Sequence, residues 1–184
     1  ALDLGMNGQG MFILNTLEKL GELSYTRNGA INIQQDGKLV NSDGLSYLDI
    51  TGQEITLPFQ ILGKNDTVEN LSEVKVTAEG FLRATYGIDN YNTIAQIGLA
   101  RFADENQLRS LGDNIFTATP ESGEAVVGAG KDFGFGKIKS GSLEASNTDI
   151  TAELTLLIRA QQAFNGSAKM MQADADVTRR LMDQ

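Results

Sequence analysis

Apolar residues near the C-terminus recur at alternating steps of four and three: Ile150, Leu154, Leu157, Gln161, Phe164, Ala168, Met171, Ala175, Thr178 and Met182. Gln161 and Thr178 are the polar exceptions. This is a heptad seam, and the stretch holds no proline and one glycine, Gly166. A helix over Thr148 to Gln184 would be roughly 50 Å long at 1.5 Å per residue. A stripe this narrow has the width that one neighbouring helix covers, and nothing upstream reads as that helix. Asn147, Thr148 and Asp149 are all good N-caps, so the start is defined to within a residue or two. Asp149 and Glu153 suit the positive end of the helix dipole, and Arg179 and Arg180 the negative end.

Upstream the period changes from helical to two. Asn7-Gly8-Gln9-Gly10 predicts a tight turn before the apolar strand Met11-Phe12-Ile13-Leu14. Residues 22 to 50 read as a β-meander. Asn28-Gly29 predicts a hairpin after Tyr25-Thr26-Arg27, Ile31 and Ile33 alternate with polar residues, and Asp36-Gly37 and Ser42-Asp43-Gly44 predict further turns. Ile55 and Leu57, then Val74 and Val76, alternate in the same way, with the polar Lys64–Ser72 segment expected as a loop. Glu79-Gly80 turns into a strand at Phe81–Tyr86, faintly echoing Asp36-Gly37 as a second similar hairpin. Ile94–Ala103 is the longest apolar-rich strand candidate, and Leu108–Asn114 is expected to hold one helical turn. The glycine-rich run from Gly123 to Gly141 reads as a loop leading to a last strand, Lys137–Leu143. The fold class is therefore mainly β, with short antiparallel strands and hairpins, plus one long C-terminal α-helix. The expected division is a β-rich domain over 1–142 and the helix over 143–184.

Composition narrows the chemistry. The chain has 184 residues, a net charge of -9 and a pI near 4.5, with no cysteine, histidine or tryptophan. Nucleic-acid binding is disfavoured, because it needs a basic face. Disulfides, thiolate catalysis, histidine bases and the usual zinc sites are excluded by residue type. No window has the apolar length of a membrane span. Neither glycine pattern makes a phosphate loop: Ile13 stands where a dinucleotide fingerprint needs its third glycine, and Gly136-Lys137 is followed by Ile138. The carboxylates Asp36, Asp43 and Asp49 lack the spacing of a calcium loop, and Asp174 and Asp176 do not share a helix face. A serine/lysine or dual-carboxylate enzyme remains formally open without a motif to support it. No catalytic residue, cofactor or metal is expected. Ala1-Leu2-Asp3-Leu4 reads like the interior of a longer protein.

Four stretches carry a resemblance. They are Leu2–Phe12 with Asn7, Gly8 and Gly10; Tyr25-Thr26-Arg27-Asn28-Gly29 with Asp36–Val40; Leu111-Gly112-Asp113-Asn114-Ile115-Phe116; and Gly141-Ser142-Leu143-Glu144-Ala145-Ser146-Asn147 through Phe164. In this order the chain resembles the axial proteins of the bacterial flagellum, the hook and distal-rod proteins. Gly141–Asn147 and Ala84-Thr85-Tyr86 look closer to the hook protein. Met11 departs from the pattern, where an aromatic residue is common, and the Gly44–Val74 region is short for a large hook protein. The resemblance implies a structural subunit exported through the flagellar type III apparatus, which puts it outside the cell in the hook or basal body. It implies self-association into a helical tube, with other axial and junction proteins as neighbours; the acidic charge already argues against nucleic acid as a partner, and no membrane span is expected. The terminal helices of such subunits form coiled coils in the inner tube, so the cover for the seam would be a helix preceding Ala1. A hook subunit is the expected reading, with a rigid distal-rod subunit as the alternative and a ligand-binding or enzymatic β-domain as the distant one.

Overall fold

A computed structural model describes residues 2–16, 23–62, 67–87, 90–144 and 150–182, with the side chains of 176–178, 180 and 181 outside that description. The chain divides into two compact units, residues 1–144 and 145–184. Among the described residues, the first holds strands and one short turn of 3-10 helix, and the second holds one long helix. Mainly β with a C-terminal helix is thus the fold class.

The strands in chain order are β1 (Leu2–Asn7), β2 (Met11–Asn15), β3 (Leu23–Thr26), β4 (Ala30–Ile33), β5 (Leu39–Val40), β6 (Gln60–Leu62), β7 (Val68–Val76), β8 (Phe81–Tyr86), β9 (Asn90–Gln96), β10 (Leu99–Arg101), β11 (Arg109–Gly112), β12 (Ile115–Thr117), β13 (Val126–Gly128) and β14 (Lys137–Ser140). They form three sheets, ordered β14-β1-β4-β5, β11-β12-β3-β2-β10-β13 and β6-β7-β8-β9, with every pairing antiparallel. The first strand pairs with the last, Leu4 opposite Ser140 and Asn7 opposite Lys137, so the ends of this unit are closed on each other.

β2 explains the packing. Met11, Phe12, Ile13 and Leu14 are all buried, so both faces of the strand are covered. Phe12 and Leu14 enter a large core shared by the three sheets, with Leu4, Leu82, Tyr86 and Leu99. Met11 and Ile13 enter a smaller core with Tyr25, Leu48 and Phe102. Edge-to-face ring pairs anchor each core, Phe12 with Tyr47 at 6.0 Å and Tyr25 with Phe102 at 4.7 Å between centroids. The buried phenols are satisfied: Tyr47 donates to Asn28 O at 2.9 Å and Tyr86 to Pro58 O at 2.7 Å. Burial, and then the nearby Asp43 carboxylate, push the Tyr47 phenol well above its ordinary pKa.

Several expected turns are present. Asp36-Gly37 closes the β4–β5 hairpin and Thr77–Gly80 the β7–β8 hairpin, with Gly37 and Gly80 at φ 83° and 91°. The structure corrects other expectations. Asn28-Gly29 joins no hairpin, because β3 lies in the six-stranded sheet and β4 in the sheet of β1. Gly29 is required by a close approach instead: it accepts from Leu4 N at 2.9 Å, and a Cβ there would lie 1.9 Å from Leu4 O. Ile94–Ala103 is not one strand. It breaks at Ile97-Gly98, where a Cβ on Gly98 would meet Asp49 O at 2.6 Å, and the chain passes from one sheet to another. Val68–Ser72 belongs to β7, not to a loop; its alternation was hidden by polar residues on an exposed face. The helical turn falls at Glu105–Gln107, with Asp104 capping it, and Arg109–Gly112 is strand. The glycine-rich run contains β13, and the last strand stops at Ser140.

Across the Gly80 turn, Glu79 pairs with Lys131. That hydrogen bond, helped by the Glu79 backbone N–H and the Thr77 hydroxyl, lowers the Glu79 carboxyl to about 2.

The helix α1 spans Ile150–Met182. The expected caps Asn147, Thr148 and Asp149 lie outside the described residues.

The contrast between two glycines is testable. Gly29→Ala forces a side chain into backbone at a non-positive φ and should cost about 2–4 kcal/mol. Gly44→Asn, at φ 82° with open space around it, should cost less than about 1 kcal/mol, because asparagine tolerates the left-handed region. Urea unfolding of both variants, monitored by circular dichroism, measures the difference.

Candidate assembly site

The motif segments singled out in the sequence lie far apart along the chain, yet three of their side chains and turns meet around Thr26 and Arg27. Thr26 ends β3, between Phe12 of β2 and Ile115 of β12, and is buried. Its hydroxyl donates to Asn114 O at 2.8 Å and accepts from Asn28 N at 3.1 Å. Asn114 belongs to the Gly112-Asp113-Asn114 turn between β11 and β12. All three residues have positive φ, 102°, 49° and 59°. Glycine, aspartate and asparagine are the residue types that accept this geometry, and the type I′ shape matches the twist of a hairpin.

Arg27 reaches two other segments. Its Nη2 donates to Gly8 O at 3.1 Å, and its Nε donates to the Glu144 carboxylate at 3.0 Å. The Arg27 and Glu144 side chains are 32% and 40% exposed, so this is a rim ion pair of modest strength. Gly8 sits at φ 115°, and a Cβ there would meet Gly136 at 2.8 Å. Gly136 in turn donates from its N to Gln9 O at 2.7 Å. The two loops cross with backbone touching backbone, a contact that only glycine allows. Gly10 is buried at φ 132° and lets β2 start at once. Tyr25 fills the smaller core and Gly29 passes Leu4.

These ties place Asn7, Gly8, Thr26, Arg27, Gly112, Asp113, Asn114 and Glu144 in one connected network at the end of the shell unit, where the chain leaves at Glu144. Leu143 is exposed beside it. Ser146 and Asn147 lie outside the described residues. Gly136, part of the rejected phosphate-loop pattern, finds its partner in Gly8, a pairing that no spacing rule reveals.

On α1, the seam residues Ile150, Leu154, Leu157, Gln161, Phe164, Met171 and Ala175 are exposed, and Ala168 is half-buried. Phe164 is 75% exposed and Leu157 54% exposed, so large apolar groups stand in water along one face. Leu156, Ile158 and Met170, outside the seam, are also exposed. Among the described residues no three carboxylates are placed to hold a metal ion. An open cleft of about 380 Å³ lies beside Gly8, Gln9, Phe135 and Lys137. Among the described residues, no helix is long and apolar enough to cross a membrane.

The class defined by these features is a closed β-shell carrying a long helix with an apolar seam. The family described as flagellar hook protein FlgE/F/G D1 domain matches residues 5–84, and the family described as flagellar basal body rod FlgEFG protein C-terminal matches residues 139–184. The flagellar basal-body rod protein FlgG of Agrobacterium fabrum is 34% identical over 171 residues, which is 92% of this chain and 59% of the relative. FlgG of Caulobacter vibrioides matches to the same extent, 34% over 171 residues. The flagellar hook protein FlgE of Salmonella typhimurium is 32% identical over 175 residues, 88% of this chain and 43% of the relative. The chain belongs to the family of flagellar axial proteins, the hook and rod proteins. It spans 59% of the length of the two rod relatives. The lean toward the hook protein in particular is not supported by these relatives, since the rod proteins match a larger share of both chains.

The network yields a prediction. Arg27→Gln removes both ties and should destabilise the shell by about 1–2 kcal/mol. Glu144→Gln should cost about 0.5–1 kcal/mol, and the double-mutant cycle should return a coupling of about 0.5 kcal/mol that shrinks in 1 M salt. Equilibrium unfolding of the four proteins checks it, and strict additivity would mean that the ion pair contributes nothing.

Proposed function

We propose that this chain is part of a flagellar axial structural subunit of the distal-rod type, a non-enzymatic element of a rigid, torque-bearing shaft. The observation that carries the reading is the 34% identity to rod proteins over 92% of the chain. The motif network supports it, because it stiffens the shell with ties between segments rather than building a reaction site. In this reading the helix seam from Ile150 to Ala175 is an assembly surface. Covering it with another helix removes large apolar groups from water, worth roughly 1.5–3 kcal/mol for each fully buried Leu, Ile or Phe. The subunit then joins copies of itself and neighbouring axial proteins in the basal body.

A hook subunit is the second reading, favoured by 32% identity to the Salmonella hook protein over 88% of the chain. The two readings differ in location. Antibodies against residues 1–144, applied to isolated basal bodies under the electron microscope, should decorate the straight shaft. Decoration of the curved segment alone would replace the rod with the hook. Assembly through the seam is tested in the full-length protein: Leu157→Asp or Phe164→Asp should abolish polymer formation in sedimentation assays while the β-sheet dichroism is unchanged. Polymer at the wild-type concentration would remove the seam from the assembly surface.

A further inference from the structure

The chain holds five methionines and no cysteine, so every sulfur in it is a thioether. The fold divides them by unit. Met6 and Met11 lie in the two cores of the β-rich unit, 7% and 4% exposed. Met170, Met171 and Met182 all stand on α1, 70%, 69% and 78% exposed. Met171 and Met182 fall on the heptad seam, and Met170 falls beside it.

The seam changes character along its length. Up to Phe164 its large apolar side chains are Ile150, Leu154, Leu157 and Phe164, all hydrocarbon. Beyond Phe164 it runs Ala168, Met171, Ala175, Thr178 and Met182. The two methionines are thus the only large apolar residues of that half. An unbranched thioether adapts well to the surface that covers it. It is also the aliphatic side chain that mild oxidants turn polar, and exposure decides which thioethers react.

We propose that Met171 and Met182 form an oxidation site through which peroxides control the C-terminal half of the helix seam. In the reaction the thioether sulfur attacks one peroxide oxygen, the O–O bond breaks, and the proton of the attacked oxygen moves to the leaving one. The sulfur gains an oxygen and loses two electrons, while hydrogen peroxide is reduced to water. The sulfoxide carries a strong S–O dipole. On an uncovered helix water solvates it. Under a second helix it has no such partner, and burying an unpaired polar group opposes the apolar burial that favours assembly. The free subunit is therefore the reactive form, and a covered seam withholds both sulfurs from peroxide. Burial protects Met6 and Met11, so the β-rich unit is unchanged at the same dose. This rests on the reading of the seam as an assembly surface and adds its chemical regulation.

Hydrogen peroxide is the probe. In the full-length protein, peptide mass mapping should show Met170, Met171 and Met182 oxidised at least about tenfold faster than Met6 and Met11. The oxidised protein should need about tenfold more subunit to form polymer in sedimentation assays, and methionine sulfoxide reductases should reverse the loss. Met171→Leu combined with Met182→Leu should polymerise like the unmodified protein before and after peroxide, whereas Met170→Leu should stay sensitive. Oxidised protein that polymerises at the unmodified concentration, or a double leucine variant as sensitive as the wild type, would overturn the oxidation site. Leu157→Asp separates the two failures. If it abolishes polymer while the sulfoxides do not, the oxidation site falls and the seam reading stands; if neither has an effect, both fall.

Discussion

The hydrogen-bonding position of Arg27 is the constraint on which the shell's ends depend. It joins Gly8 near the start of the chain to Glu144 at the point where the shell ends, across separations of 19 and 117 residues. Thr26 beside it holds the turn at Asn114, 88 residues away. Each bond is individually worth only about 1 kcal/mol. Their effect comes from where they act. The β1–β14 pairing already pays the closure entropy of nearly the whole unit, so bonds added at that seam cost little further ordering. The result is that Glu144, at the end of the β-rich unit, is tied to the most non-local part of its sheet.

The two cores share this logic. β2 is the wall between them, with Phe12 and Leu14 on one side and Met11 and Ile13 on the other. A strand buried on both faces cannot slip register without exposing one of its two apolar sets. Gly8 and Gly10 set where that strand begins, and Thr26 pairs with Phe12 at its start. The same residues that make up the motif network therefore also fix the register of the strand that organises the packing.

Much of this was legible in the sequence, and what was not has identifiable physical causes. The long helix, the turns at Gly37 and Gly80 and the strand after Gly10 follow from local periodicity and turn chemistry. Asn28-Gly29 misled because a glycine serves a left-handed turn and a tight backbone crossing equally well, and only the position of Leu4 decides between them. Ile94–Ala103 misled because hydrophobicity reports burial, not which sheet does the burying; the break at Gly98 depends on Asp49, far back in the chain. The motif residues were found by resemblance, yet their roles as partners, Arg27 with Glu144 and Thr26 with Asn114, are tertiary facts. The full exposure of Phe133 carried no sequence signal, since an apolar residue in a glycine-rich loop looks the same whether it points inward like Phe135 or outward.

The distribution of charge sets different physical conditions for association on the two units. Residues 1–144 hold eleven basic and nineteen acidic residues, and residues 145–184 hold four and five, so the net charge of -9 falls almost wholly on the shell. A nearly neutral helix with an apolar seam can approach other helices closely, because little Coulomb repulsion opposes the burial of Leu157 or Phe164. Shells that each carry about eight negative charges repel one another at distances within a Debye length of about 8 Å at physiological salt. Contact between such shells is then favoured only where local charges are complementary. Apolar burial would supply the affinity of such an assembly along the helices, and electrostatics would select the orientation of the shells around them.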